Sequence, residues 1–191
     1  MCGISGFIEV NKSNKSKDII KKMTSKLRHR GANDYGIEAV SEKPFIYFGH
    51  TRLSIIDLTH AAHQPMQTDD KNLTLIFNGE IYNYIELRDK LILSGIEFKT
   101  KSDTEVVLRA YERYGFDCFK KFNGMWSIAI FDNVNNTLVL SRDRFGKKPL
   151  YYYKTESSII FASEIKSLFE HPKVKENPNY KKIYKYLSTN Y

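Results

Sequence analysis

Short apolar runs, each stopped within a strand's length by a turn sequence, recur along this chain from Ile4 to Ala162. That rhythm constrains the fold more than any single residue does. A strand buries its apolar side chains within four to eight residues, whereas a core helix needs a longer stripe at three-to-four spacing. Runs at 4–10, 45–49, 53–58, 73–77, 126–132, 137–142, 150–153 and 159–162 read as strands. Residues 133–136 (Asn-Val-Asn-Asn) form a hairpin signal between the fifth and sixth of them. Helical stripes are fewer. Ile19, Ile20, Met23 and Leu27 predict a helix from about Ser16 and Asp18 to about Arg28. Asn83 and Glu86 have capping-box spacing ahead of Tyr84, Leu87 and Leu91. Ser102 and Glu105 have it ahead of Val106, Val107, Ala110, Tyr111 and Tyr114, with Gly115 as a natural stop. Further helices are expected at 164–169 and 180–187. Many strands on short turns with helices grouped between them predict an α+β domain built on antiparallel sheets.

At 191 residues, with thirteen Tyr and twelve Phe, the chain can bury a large core as one compact unit without a disulfide or a structural metal. The charged, Pro-containing stretch 170–178 is the nearest thing to a boundary. No apolar run is long enough to span a bilayer, and residues 1–10 lack the basic start and cleavage site of a signal peptide, so a cytoplasmic location and no membrane partner are expected. The two cysteines are then free thiols. Cys118, among aromatics, reads as an inert core thiol. The net charge of +8 raises the question of nucleic acid, with eight basic residues between Lys12 and Arg30. These lysines interleave with the apolar stripe of the first helix, which predicts a solvated face and no nucleic-acid partner.

Four local features can carry chemistry. A cysteine directly after Met1 would, once that methionine is removed, bear a free α-amine, so one residue supplies nucleophile and base. Phe77-Asn78-Gly79-Glu80 is first of all a strand breaking into an Asn-Gly turn, yet an amide side chain beside a flexible N–H can also serve a developing oxyanion. The Ser102 cap leaves Asp103 in a first helical turn, free to bind an ammonium group. Arg52, beside His50 and Thr51, can clamp a carboxylate bidentately. His60 and His63 stand before Gln64-Pro65 with a spacing metals use, but two ligands in a loop do not make a site. A loop role and no metal are expected. Lys147 and Lys148 follow Gly146 without phosphate-loop spacing, and the tyrosines at 151–153 are expected in the core.

Taken in order, Met1-Cys2-Gly3-Ile4-Ser5-Gly6, Arg28-His29-Arg30-Gly31, Gly49-His50-Thr51-Arg52-Leu53-Ser54-Ile55-Ile56-Asp57-Leu58 and Asn78-Gly79-Glu80-Ile81-Tyr82-Asn83 resemble class II glutamine amidotransferases, and more narrowly the asparagine synthetase branch. Ser102–Glu105, Phe122-Asn123-Gly124-Met125-Trp126, Asp143-Arg144-Phe145-Gly146-Lys147-Lys148-Pro149-Leu150-Tyr151-Tyr152 and Phe161-Ala162-Ser163-Glu164-Ile165-Lys166-Ser167-Leu168 extend the match over nearly the whole chain. The run after Arg52 separates this branch from relatives that aminate sugar phosphates or phosphoribosyl diphosphate.

The resemblance implies a four-layer αββα sandwich of the N-terminal nucleophile type, with Cys2 attacking the side-chain amide of glutamine. It implies Asn78 and the Gly79 N–H as oxyanion donors and Arg52 as partner of the substrate α-carboxylate. Asp103 and Glu80 would take the α-amino side, and Leu53, Ser54, Ile55 and Ile56 would complete the substrate site. It further implies a glutaminase domain over 1–177, the start of a linker over 178–191, and a synthetase domain or subunit as partner; a homodimer is compatible. No cofactor is expected in this domain, since ATP and magnesium would belong to the synthetase domain, whose Ser-Gly-Gly phosphate loop this sequence lacks. One departure is local: Arg30-Gly31-Ala32-Asn33-Asp34 stands where the family reads Arg-Gly-Pro-Asp. A non-catalytic binding module on the same fold is the rival reading, and the intact set Cys2, Arg52, Asn78, Gly79 and Asp103 argues against it.

Overall fold

The computed structural model describes residues 1–11 and 14–189. Among the described residues nine strands form two antiparallel sheets. The first has the order β2 (Asp34–Glu42), β3 (Phe45–Arg52), β1 (Gly3–Glu9), β9 (Ser158–Ala162), β8 (Tyr151–Lys154); the second has β4 (Met66–Gln67), β5 (Leu73–Ile81), β6 (Gly124–Asp132), β7 (Thr137–Arg142). Each sheet has two apolar faces, and three clusters show how they are covered. Ile4, Ile46, Phe48 and Phe161 of the first sheet meet Ile76, Ala129 and Phe131 of the second between the sheets. Phe7 and Ile160 on the outer face of the first sheet pack against Ile19, Ile20 and Met23 of α1 (Ser16–Ser25) and Leu168 of α5 (Ile165–Leu168). Phe77, Trp126 and Ile128 on the outer face of the second pack against α2 (Tyr84–Leu93), α3 (Asp103–Tyr114) and Cys118 of α4 (Cys118–Lys121). The result is helix, sheet, sheet, helix: the expected αββα sandwich. No helix of the described residues is long and apolar enough to cross a membrane.

Most expected strands and helices form, and the differences have physical reasons. The run 53–58 is not a strand: it is irregular, with Ile55 73% and Leu58 76% exposed. The Arg52 side chain takes the carbonyl of Asp57 in this run and of Thr59 just beyond it (Nη1 to Thr59 O, 3.0 Å; Nη2 to Asp57 O), and no strand of the described residues pairs with the run. Asn78-Gly79 is not a turn, because both residues stay in register with Ser127 and Trp126 of β6. The whole of β2, with Gly and charges interrupting its apolar positions, gave no run to read. At α1 the helix ends at Ser25, and a short 3-10 turn takes over at Arg28–Arg30.

The Asn83 box does not form: its side chain bonds Lys121 O (3.0 Å) and Asn123 N–H (2.9 Å) instead, stitching α2 to the β6 approach. The Ser102 box forms by half. Ser102 Oγ accepts the Glu105 N–H at 3.3 Å, a cap worth about 1 kcal/mol. The Glu105 carboxylate serves the Lys99 and Thr100 N–H groups. α5 is one turn long, shorter than the expected 164–169. Finally, Tyr151, Tyr152 and Tyr153 are not core: β8 is an edge strand and Tyr152 is 67% exposed. Cys118 is the inert core thiol expected, its pKa pushed up to about 12 by burial.

Candidate active site

The start of β1 carries the thiol. Leu53 N–H donates to Cys2 Sγ at 3.4 Å, and the thiol faces Leu53 O at 3.7 Å. The Cys2 carbonyl accepts from Arg30 Nε at 2.9 Å, and Arg30 Nη1 donates to Glu164 at 2.8 Å. Burial would raise Glu164, but bonds from Arg30, Lys166 and His29 outweigh it and hold its pKa at about 2. The altered loop after Arg30 is therefore well supported: Arg30 pins the nucleophile's backbone, and Asn33 Oδ1 accepts the Ser54 N–H at 3.0 Å. Burial also raises the Cys2 pKa, opposed by the Leu53 N–H, the N-terminal amine and Arg52. A thiol so placed is protonated at neutral pH and needs a base.

Opposite Cys2, β5 supplies donors. β4 pairs with β5 only as far as Leu75, so beyond that point one edge of β5 is uncovered. Its N–H groups on that side alternate. Phe77 N–H goes to Gln64 Oε1 at 2.6 Å and Ile81 N–H to Asp103 Oδ2 at 3.1 Å. Gly79 lies between them, so its N–H leaves on the same side, and no side chain of the described residues accepts it. Next to it Asn78, 1% exposed, holds its Nδ2 buried without any acceptor. A Cβ at Gly79 would sit 2.8 Å from Trp126 Cα, so only glycine lets this strand stay paired. Below, His50 Nε2–H donates to Phe77 O at 3.1 Å; burial pushes the His50 pKa down to about 3, leaving a neutral strut.

These groups face one open cavity of about 190 Å³. Cys2, Asn78, Gly79, Glu80 and Asp103 line it with Arg52, Leu53, Ile55 and Ile56, so the structure brings together every site residue expected from the sequence except Ser54, which serves as the tether to Asn33. Asp103 sits at the first turn of α3, where burial, with the charge of Glu80 adding to it, pushes its pKa up to about 6 against the N–H groups of Ile81 and Thr104. Arg52 is buried, with two of its N–H groups given to loop carbonyls. The lining also holds Gln64, Thr104, Met125 and Lys148, which the sequence reading missed. Gln64 had a signal, being a polar residue held between His63 and Pro65. Lys148 had none: it is buried at 7% exposure, and among the described residues its ammonium meets no hydrogen-bond or ion-pair partner. Its N–H is held by Asp143 Oδ2 at 2.9 Å.

A thiol, two unengaged N–H donors across from it, a cation and two carboxylates suit acyl transfer from a small amide bearing carboxylate and ammonium groups. Comparison with known proteins gives the family. Residues 1–191 match the family described as "Glutamine amidotransferase domain". Asparagine synthetase [glutamine-hydrolyzing] 2 of Bacillus subtilis is 41% identical over 95% of this chain and 24% of its own length. The Bacillus subtilis protein of the same name numbered 3 is 38% identical over 92% of this chain and 28% of its own. The Zea mays asparagine synthetase [glutamine-hydrolyzing] is 37% identical over 88% and 28%. This chain thus spans about a quarter of the length of each. Among solved structures, glutamine phosphoribosylpyrophosphate amidotransferase from Bacillus subtilis superposes with a TM-score of 0.74 at 22% identity, over 88% of this chain and 43% of that one. At that identity the likeness concerns the fold alone.

Proposed function

The chain belongs to the glutamine amidotransferase domain family, and from that premise we propose that it hydrolyses glutamine to glutamate and ammonia through a thioester on Cys2. The observation that carries this reading is Asn78 Nδ2, a buried donor with no acceptor, on a residue that lines the cavity holding the thiol. An unpaired buried donor costs about 1–3 kcal/mol, a penalty relieved when an oxyanion forms beside it.

With Met1 removed, Cys2 carries an α-amine whose neutral fraction is sizeable near neutral pH, given a reference pKa of roughly 7.7–8.0. That amine takes the thiol proton as Sγ attacks the side-chain amide carbon of glutamine. The amide oxygen becomes an oxyanion between Asn78 Nδ2 and the Gly79 N–H. Collapse of the adduct breaks the C–N bond, the α-ammonium returns its proton to the leaving nitrogen, and ammonia departs. Water, deprotonated by the same amine, then adds to the thioester and expels the thiolate as glutamate forms. Arg52 has N–H groups left for the α-carboxylate, while Asp103 and Glu80 receive the α-ammonium. Leu53, Ile55 and Ile56 close on the methylene chain, and Ser54 holds their loop in place. All of these steps use protein groups and water; ATP and magnesium would enter only in a later amidation.

The names and greater length of the relatives support a second step, in which the ammonia feeds ATP-dependent amidation of aspartate in a synthetase domain or subunit. Residues 178–191 would begin the connection. α6 (Tyr180–Thr189) presents Tyr180, Ile183, Tyr184 and Leu187 along one exposed stripe, as a segment awaiting a further partner would.

The test is glutamate release from glutamine by the purified chain, with loss of Met1 checked by intact mass, beside Cys2→Ala. Activity abolished in the variant, and a glutamyl adduct of the wild type trapped by acid quench, are the expected results. Equal glutamate release by Cys2→Ala would end this reading.

A further inference from the structure

Outside the cavity that holds the thiol, the fold draws Asp34 to two histidines three residues apart, His60 and His63, all side chains of types that can ligate a metal. Asp34 opens β2. His60 lies in a one-turn 3-10 segment (His60–Ala62), and His63 follows it. One ligand atom from each, a carboxylate oxygen and two imidazole nitrogens, lies within 4.8 Å of the others. His63 Nδ1 is already 2.7 Å from Asp34 Oδ2, and the His60 and His63 rings stack at 4.9 Å with planes 6° apart. The second Asp34 oxygen accepts the Tyr35 N–H at 2.8 Å, which fixes the carboxylate's orientation. His60 is exposed and His63 half-buried, so the group is open to solvent on one side.

We propose that Asp34, His60 and His63 bind a divalent transition metal of the zinc class. Two imidazoles and one carboxylate form a mixed nitrogen and oxygen set suited to such an ion and poor for magnesium or calcium, which want oxygen throughout. Three protein ligands leave a fourth position for water. Bonds of about 2.0–2.1 Å place tetrahedral ligand atoms about 3.3 Å apart. His60, exposed and on a single turn, is the side chain free to close that distance, while His63 and Asp34 part slightly as the shared proton leaves.

The consequence reaches the cavity through the chain. Arg52 pairs with Asp34 across β2 and β3, and its guanidinium holds the Thr59 and Asp57 carbonyls just before His60. A metal joining Asp34 to His60 and His63 therefore closes the far end of the segment that carries Leu53, Ile55 and Ile56. The ion is a clamp on the cavity wall. It does not depend on the glutamine reading, since none of its ligands lines the cavity.

The test uses the purified chain carrying Cys2→Ala, which removes the exposed route to thiolate ligation. Zn²⁺ is titrated by calorimetry and Co²⁺ by visible absorption. One equivalent of each should bind, the cobalt bands should lack a thiolate charge-transfer feature, and Zn²⁺ should raise the melting temperature. Adding His60→Ala, at an exposed position, should leave the metal-free melting temperature unchanged and weaken binding by about tenfold or more. No saturable binding, or binding equally tight after His60→Ala, overturns the proposal.

Discussion

The cavity has two walls made in opposite ways. One is regular: β5 and the first turn of α3, where Asn78, Gly79 and Asp103 are fixed by strand register and by bonds such as Ile81 N–H to Asp103. The other is the irregular segment 53–59, exposed and held at points, by Arg52 to the carbonyls, by Asn33 to Ser54, and by Asp57 to Thr59 and Lys101. Asp57 itself has φ of 57°, a conformation few side chains adopt. The difference teaches where each task belongs. Oxyanion donors must be held to a fraction of an ångström, which a paired strand does, whereas a loop can open for a substrate and close behind it.

If that division is right, damage to the oxyanion donors of the regular wall should fall on turnover, whereas damage to the loop, or to a group that holds the substrate's charged end, should fall on affinity. The largest effect is expected at Asn78→Ala: turnover falls by about 10²–10³, or roughly 2.7–4 kcal/mol, with KM nearly unchanged. Unaltered turnover with raised KM, in steady-state glutaminase kinetics, would break the comparison. Next is Gly79→Ala, whose Cβ meets the Met125 carbonyl and Trp126 Cα. The strand must shift, at a cost of about 1–3 kcal/mol in chemical denaturation, and turnover falls with it; a fully stable and active variant would show that the strand has slack.

Arg52→Lys should raise KM about tenfold while sparing turnover, because one ammonium cannot hold both the loop carbonyls and a substrate carboxylate, a charged hydrogen bond being worth about 1.5–3 kcal/mol. Asp103 gives a pH signature. Its carboxyl, pushed up to about 6, must ionise to receive an ammonium, so kcat/KM should decline as pH drops through about 6. Asp103→Asn should remove that limb together with most of the affinity. The stability sign is opposite: the folded state holds this proton more tightly than the unfolded chain. Stability should therefore fall as pH rises from the ordinary carboxylate range to about 6, then level off. The smallest effect belongs to Asp57→Ala, a few-fold rise in KM at constant turnover, since an exposed loop loses only part of its tether.

Legibility in the sequence followed locality. Leu73–Phe77, the 133–136 hairpin and the Ser102–Gly115 helix were readable because their patterns are settled by near neighbours. The run 53–58 read as a strand because apolar composition cannot say whether a ladder partner exists; here none of the described strands pairs with it, and the preceding arginine holds the Asp57 and Thr59 carbonyls instead. Tyr151–Tyr153 read as core for the same reason, since only sheet order reveals an edge strand. Asn78-Gly79 read as a turn on dipeptide preference, which β6 pairing overrode.

By itself the sequence indicated the class of the fold and most of the candidate residues that line the cavity, because periodicity and motif order are properties of the chain alone. It did not decide which N–H groups stay free, that Lys148 is buried at the cavity, or that Asp34 meets His60 and His63. Those facts depend on β4 ending early beside β5, on a loop folding back over its own arginine, and on β2 starting beside Arg52. Each is a relation between segments distant in sequence, fixed when burial of the two sheets' apolar faces sets their register and stacking.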